Sequence, residues 1–131
     1  MKTVDVAAAI IHHEGRILAT QRGYGDLAGG WEFPGGKIEP GETPEDALVR
    51  ELKEELDIDI AIERLLAVID YEYETFRLHM YCFLTHVGNG HIHLLEHSDA
   101  KWLGVDDIDS VAWLPADIRV IEAIKQSTIL K

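Results

Sequence analysis

Cysteine occurs once in the 131 residues, at Cys82, so no intrachain disulfide can form and the chain must fold on its buried core alone. Long apolar runs are missing too: none approaches the roughly 18 residues of a membrane helix. Basic side chains are scarce, 12 Lys and Arg against 24 Asp and Glu, for a formal net charge of −12. Such a chain offers no basic face to a nucleic-acid backbone, and an anionic ligand must bring or find cations. No fixed-period repeat, low-complexity linker or long charge block divides the sequence. One domain over residues 1–131 is the expectation, and this length buries enough surface to fold without a partner. The start, Met1 to Asp5, runs into a strand-like stretch with no small-residue cleavage site. A cytoplasmic chain, monomer or homodimer, is expected.

What is present alternates between strand and helix signals. Val4 to Ile11 and Arg16 to Arg22 are apolar, β-branched runs around His12-His13-Glu14-Gly15, which predicts a hairpin with Gly15 in its turn. Gly23 to Gly41 carries seven glycines and two prolines, marking loops with short extended pieces at Trp31–Phe33 and Lys37-Ile38. Thr43 is a candidate N-cap, Pro44 a first-turn proline and Asp46 an acidic capping partner for a helix over Pro44 to Leu56. Its apolar stripe is Leu48, Val49, Leu52 and Leu56. Strands follow over Ile58 to Tyr73 and Phe76 to Val87, then a Gly88-Asn89-Gly90 turn and a short strand at Lys101 to Gly104. A helix over Pro115 to Lys125 closes the chain. The class is α/β, with helices packed on a sheet.

The chemistry concentrates on the first helix. Glu51, Glu54 and Glu55 fall within about 100° on the helical wheel, beside the apolar stripe. Like charges at the border of a core repel unless a cation offsets them, and clustered carboxylate oxygens suit a hard ion such as Mg²⁺. The plain alternative is a solvated acidic face supported by i, i+4 pairs such as Arg50 with Glu54. Just before the helix, Gly35-Gly36-Lys37-Ile38-Glu39-Pro40-Gly41-Glu42 lets backbone groups approach an ion or phosphate closely.

Taken together, these residues resemble the Nudix box. From Gly36, five residues lead to Glu42, seven more to Arg50-Glu51-Leu52, then come Lys53, Glu54-Glu55, Leu56 and Asp57-Ile58. Every fixed position of the family pattern is matched except its last glycine, which is Asp57 here. Asp57 falls at the helix end, where a left-handed residue is usual, so the departure is expected to cost stability rather than remove a ligand. The resemblance implies an α/β/α sandwich with a mixed sheet between helices, and metal-dependent hydrolysis of a nucleoside diphosphate linked to another group. It implies that Glu51, Glu54, Glu55 and the Gly35 carbonyl bind Mg²⁺ (or Mn²⁺), that Arg50 holds the glutamates in place and that Glu42 supports loop and helix.

The stretch Trp31 to Leu56 looks like the MutT-like branch, which cleaves nucleoside triphosphates to monophosphate and pyrophosphate. By that likeness Glu96, six residues ahead of Trp102, is a further metal ligand or general base. Gly35, Gly36 and Lys37 would line the phosphates, Arg22 would face the anion, Phe33 would stack, and Asp117 in Pro115-Ala116-Asp117 would meet the base. The branch's oxidised-guanine enzymes carry Asn at that last place, and an ionised Asp only accepts hydrogen bonds. The expected substrates are therefore oxidised nucleotides such as 8-oxo-dGTP, or CTP, dCTP and 5-methyl-dCTP. Other nucleoside diphosphate derivatives and a binding module without catalysis remain as alternatives. His91, His93 and His97 are more simply surface residues than a transition-metal site, and Cys82 reads as core.

Overall fold

A computed structural model describes residues 1–130; Lys131 lies outside them. Strand β1 (Lys2–His13) is the spine, because alternate side chains face opposite layers. Ala8 and Ile10 point into one core and Ala7, Ala9 and Ile11 into the other. Helix α1 (Pro44–Leu56) covers the second face with Leu48, Leu52 and Leu56, while α2 (Pro115–Lys125) covers the first with Ala116, Val120, Ile121 and Ile124. The sheet between them follows the order β3 (Trp31–Glu32), β2 (Arg16–Arg22), β1, β6 (Phe76–Asn89), β5 (Asp59–Glu72), with β4 (Gly35–Lys37) on β1 and β7 (His97–Leu103) on β2. This is the expected layered α/β sandwich.

Several boundaries agree with the sequence reading and several do not. Both helices span the predicted residues, and the Thr43 side-chain oxygen caps α1 by accepting from the Asp46 N–H at 3.1 Å. Val49 is a correction: it is 42% exposed, and the buried stripe runs instead through Ala47, Leu48, Leu52, Glu55 and Leu56. The hairpin also differs. Glu14 and Gly15 turn with positive φ of 51° and 77°, as a two-residue hairpin loop requires. Yet β1 pairs β2 (Arg16–Arg22) at only two positions, His12 with Ile17 and His13 with Arg16. Beyond these the strands splay. β1 then pairs in parallel with β6 (Phe76–Asn89) over ten positions, and β6 in turn pairs antiparallel with β5 (Asp59–Glu72). The last strand, β7 (His97–Leu103), starts four residues earlier than its apolar pattern suggested, because its first half is recruited by β2.

Helix α1 ends on Asp57 in the left-handed region (φ 56°, ψ 42°), its N–H donating to the Lys53 carbonyl at 3.1 Å. A left-handed non-glycine costs about 1–2 kcal/mol, and glycine returns part of that in chain entropy. Asp57→Gly is therefore expected to raise the melting temperature by about 2 °C with activity kept. Thermal melts of the two proteins check this, and a lower value for the variant would contradict the strain argument.

Candidate functional site

Two short glycine-bearing strands place the α1 glutamates. β4 (Gly35–Lys37) lies against β1, with Gly36 opposite Ala7 and Gly35 opposite Ala8. A Cβ at Gly35 would run into the Ala7 carbonyl, and one at Gly36 would overlap the Glu51 carboxyl. Only glycine lets this backbone slide between β1 and the acidic face of α1. Glu55 reaches across to accept from the Gly35 N–H at 3.1 Å, which fixes the buried carboxyl against the loop.

Arg50 organises the exposed side of the same face. Its Nε and Nη2 form a fork on the Glu42 carboxylate at 2.9 and 2.8 Å, while Nη1 donates to Glu51 at 2.9 Å and Glu54 at 3.4 Å. Nη2 also donates to the Lys37 carbonyl at 3.1 Å, tying helix to loop. Glu42 accepts from the Glu39 N–H as well, and these partners, Arg50 first, pull its pKa down to about 2. The Lys37 side chain itself is exposed.

The electrostatics run the other way deeper in. Glu55 is pushed up to about 9 by burial, then by facing Glu51, Glu96 and Glu32. Glu51 is also raised, by burial first, with Arg50 opposing and Glu54 and Glu96 adding to the rise. Glu96 comes close because the preceding segment docks on the end of α1, the His93 and Leu95 N–H groups donating to the Leu56 and Glu55 carbonyls at 2.8 and 3.0 Å. Among the described residues no three His, Cys, Asp or Glu side chains already converge as a finished metal cage. The donor set is of the kind a hard divalent ion takes: the charges of Glu51 and Glu96 both act on Glu55, and Glu54, held by one long contact, can turn toward them. Such an ion would remove the repulsion that raises Glu55.

A second polar locus lies on the α2 side of the sheet. Asp117 is buried, and its Oδ1 accepts from the Phe33 N–H at 3.0 Å. It does not cap its helix: Leu114 is the N-cap residue, with no side-chain capping bond. Burial pushes the Asp117 carboxyl up to about 8, with Glu32 adding to the rise and Phe33 and Arg22 opposing it. Phe33 is 4% exposed and its ring stacks on Trp113 at 4.9 Å, so it belongs to the core rather than to an open stacking surface. Arg22 spends Nε and Nη2 on a fork with Glu32 of β3 (Trp31–Glu32), at 2.9 and 2.7 Å.

Glu32 was not singled out from sequence. Glu32 sits ten residues from Arg22 and meets it only through the β2–β3 pairing of Thr20 with Glu32. Cys82 is buried with its thiol pushed up by burial, as expected of core rather than of a nucleophile.

Comparison with known proteins gives a concordant result. The model of the NUDIX domain matches residues 1–124. CTP pyrophosphohydrolase of Escherichia coli is 38% identical over 124 residues, covering 94% of this chain and 92% of the relative. An 8-oxo-dGTP diphosphatase of Haemophilus influenzae is 36% identical over 129 residues, covering 97% and 95%. Among solved structures, a MutT NUDIX hydrolase from Burkholderia pseudomallei superposes with a TM-score of 0.84 at 29% identity, covering 95% of this chain and 99% of that one.

Proposed function

The chain belongs to the Nudix family and is a hydrolase of phosphoric anhydride bonds, and from that premise we propose that it converts nucleoside triphosphates to monophosphate and pyrophosphate with Mg²⁺. The carrying observation is the Arg50 clamp, which ties Glu42, Glu51, Glu54 and the Lys37 carbonyl into one preorganised acidic face beside the Gly35-Gly36 loop. Glu51, Glu54, Glu55, Glu96 and the Gly35 carbonyl would hold the ion. When bound, it neutralises the triphosphate and polarises its phosphoryl oxygens. Arg50 offsets the mutual repulsion of the carboxylates and holds their spacing, and Gly36, lacking a Cβ, leaves room for the Glu51 carboxyl against the loop. A carboxylate of the group takes the proton of the attacking water as the anhydride bond breaks. No helix of the described residues is long and apolar enough to cross a membrane, and a cytoplasmic setting with free nucleotides fits the reading.

The base falls to Asp117. With Oδ1 taken by Phe33, the second oxygen is left for the ligand, and a carboxyl pushed up to about 8 keeps its proton at neutral pH. It then donates and accepts as an amide does, which removes the objection that an ionised Asp would raise against an oxidised guanine. Sanitising of oxidised nucleotides such as 8-oxo-dGTP is the leading reading. Cytidine triphosphate hydrolysis is the second, carried by the 38% identical relative of that name.

Turnover of 8-oxo-dGTP, dGTP, CTP, dCTP and 5-methyl-dCTP from pH 6.5 to 9 decides between them. Oxidised guanine should lead below pH 8 and lose ground above it; a cytidine preference flat with pH would favour the second reading. Asp117→Asn supplies the thermodynamic control. Between the ordinary 3.8 and about 8 the folded protein keeps a proton that the unfolded chain has released. That contribution to stability is whole below pH 4 and is lost as pH rises through 8. The variant's melting temperature should therefore gain on the parent's between pH 5 and 9, whereas a constant difference would contradict the protonated carboxyl.

A further inference from the structure

His97 opens β7 opposite Arg22, and the pairing slips there: Gln21 faces Asp99 while Arg22 faces His97, leaving Ser98 in a bulge. Bulges of this kind re-aim a side chain. Gly23 permits it, since a Cβ there would come within 3.2 Å of the Glu96 carbonyl and 3.4 Å of the Ser98 nitrogen. Cross-strand partners share a face. Leu18, Thr20 and Arg22 alternate onto the α1 side of β2, where Leu18 and Ala100 join the core under α1, so His97 is on that side too. It lies near Glu32, Glu96 and Arg22. The ring thus stands beside Glu96 and the Arg22–Glu32 fork, on the opposite side of the sheet from the α2 core that holds Asp117.

The imidazole is unspent. Its Nδ1 is buried without a hydrogen-bond partner among the described residues, one of two such side-chain atoms with Thr85 Oγ1. A bare lone pair is cheaper to bury than an N–H, which assigns the ring proton to Nε2 rather than to the buried Nδ1. Nothing in the core asks for this polar ring; an apolar ring of similar size would avoid the unpaired nitrogen. The neighbouring carboxylates repel a phosphate, and Arg22 already spends two donors on Glu32.

We infer that His97 is a substrate-binding residue, its Nε2–H donating to a phosphate oxygen of the bound nucleotide at the edge of the carboxylate face. The inference rests on the nucleotide-hydrolase reading. His97→Phe removes the donor and keeps the ring, and His97→Gln returns an amide N–H at a similar reach. Phe is expected to raise KM for the best nucleotide at least tenfold with a melting temperature equal to or above the parent's, and Gln to recover most of the loss. A KM within twofold of the parent in the Phe variant overturns the inference. So does a lower melting temperature with no recovery in Gln, which would mark a structural role.

If the parent turns over no nucleoside triphosphate, the hydrolase reading fails by itself. His97 is then read from the Kd of CTP with Mg²⁺, followed by tryptophan fluorescence. Tenfold weaker binding in Phe sustains the contact, and equal binding, or no binding by the parent, ends it.

Discussion

Glu54→Gln is expected to lower kcat about a thousandfold, some 4 kcal/mol of transition-state stabilisation, while leaving the melting temperature within about a degree. The two halves of that expectation come from different observations. Glu54 is 56% exposed, and its one polar contact is the 3.4 Å approach of Arg50 Nη1, so folding gains little from its charge. Its position, one turn from Glu51 and beside Glu55, gives it the freedom to complete a cation's coordination that the buried Glu55 lacks. Gln keeps the shape and removes the charge. Steady-state kinetics over a Mg²⁺ series, beside a thermal melt, measure both halves. Retained kcat would take Glu54 out of the reacting group, and a collapse of stability would make it a structural residue.

The second large effect belongs to Arg50→Lys. One guanidinium serves Glu42 twice, Glu51, Glu54 and the Lys37 carbonyl, and a single ammonium cannot span that fork geometry. We expect kcat/KM to fall about a hundredfold as the glutamates lose their spacing. The melting temperature should fall by about 5 °C as Glu42 and Glu51 lose partners. Glu42 titrates at about 2 in the folded protein against the ordinary 4.5. Its pair with Arg50 therefore stabilises fully above pH 4.5, and that contribution is lost as pH falls through 2. The stability penalty of the lysine variant should shrink over the same window. Melts at pH 3 and 7 test it; an equal penalty at both would place the effect in packing instead of charge.

Much of this site could be read from sequence because its spacing is helical and local. Glu51, Glu54 and Glu55 lie on one helix, where periodicity fixes which side chains share a face, and the likeness of the neighbouring loop and helix to the Nudix box implied the roles of Gly36, Glu42 and Arg50. What escaped depends on strand pairing over long separations. The parallel match of β1 to β6, the Arg22–Glu32 fork and the bulge that turns His97 are set by register, which no local pattern encodes. Val49 failed for a simpler reason: at 100° per residue it lies on the far edge of the apolar stripe, and the buried face is shifted the other way, toward Glu55 and Ala47. Phe33 was ambiguous because an aromatic beside a glycine loop suits core and pocket equally, and its stack with Trp113 depends on the bridge between Trp31 and Trp113.

The most direct test of the central reading is the product of the parent enzyme: phosphate and pyrophosphate released from 8-oxo-dGTP and CTP, with Mg²⁺ and with EDTA. Pyrophosphate and nucleoside monophosphate in equal amounts, formed with Mg²⁺ and abolished by EDTA, is the expected result. Undiminished turnover in EDTA, or release of single phosphates only, would contradict a metal-held triphosphate cleaved to pyrophosphate on the Glu51, Glu54 and Glu55 face.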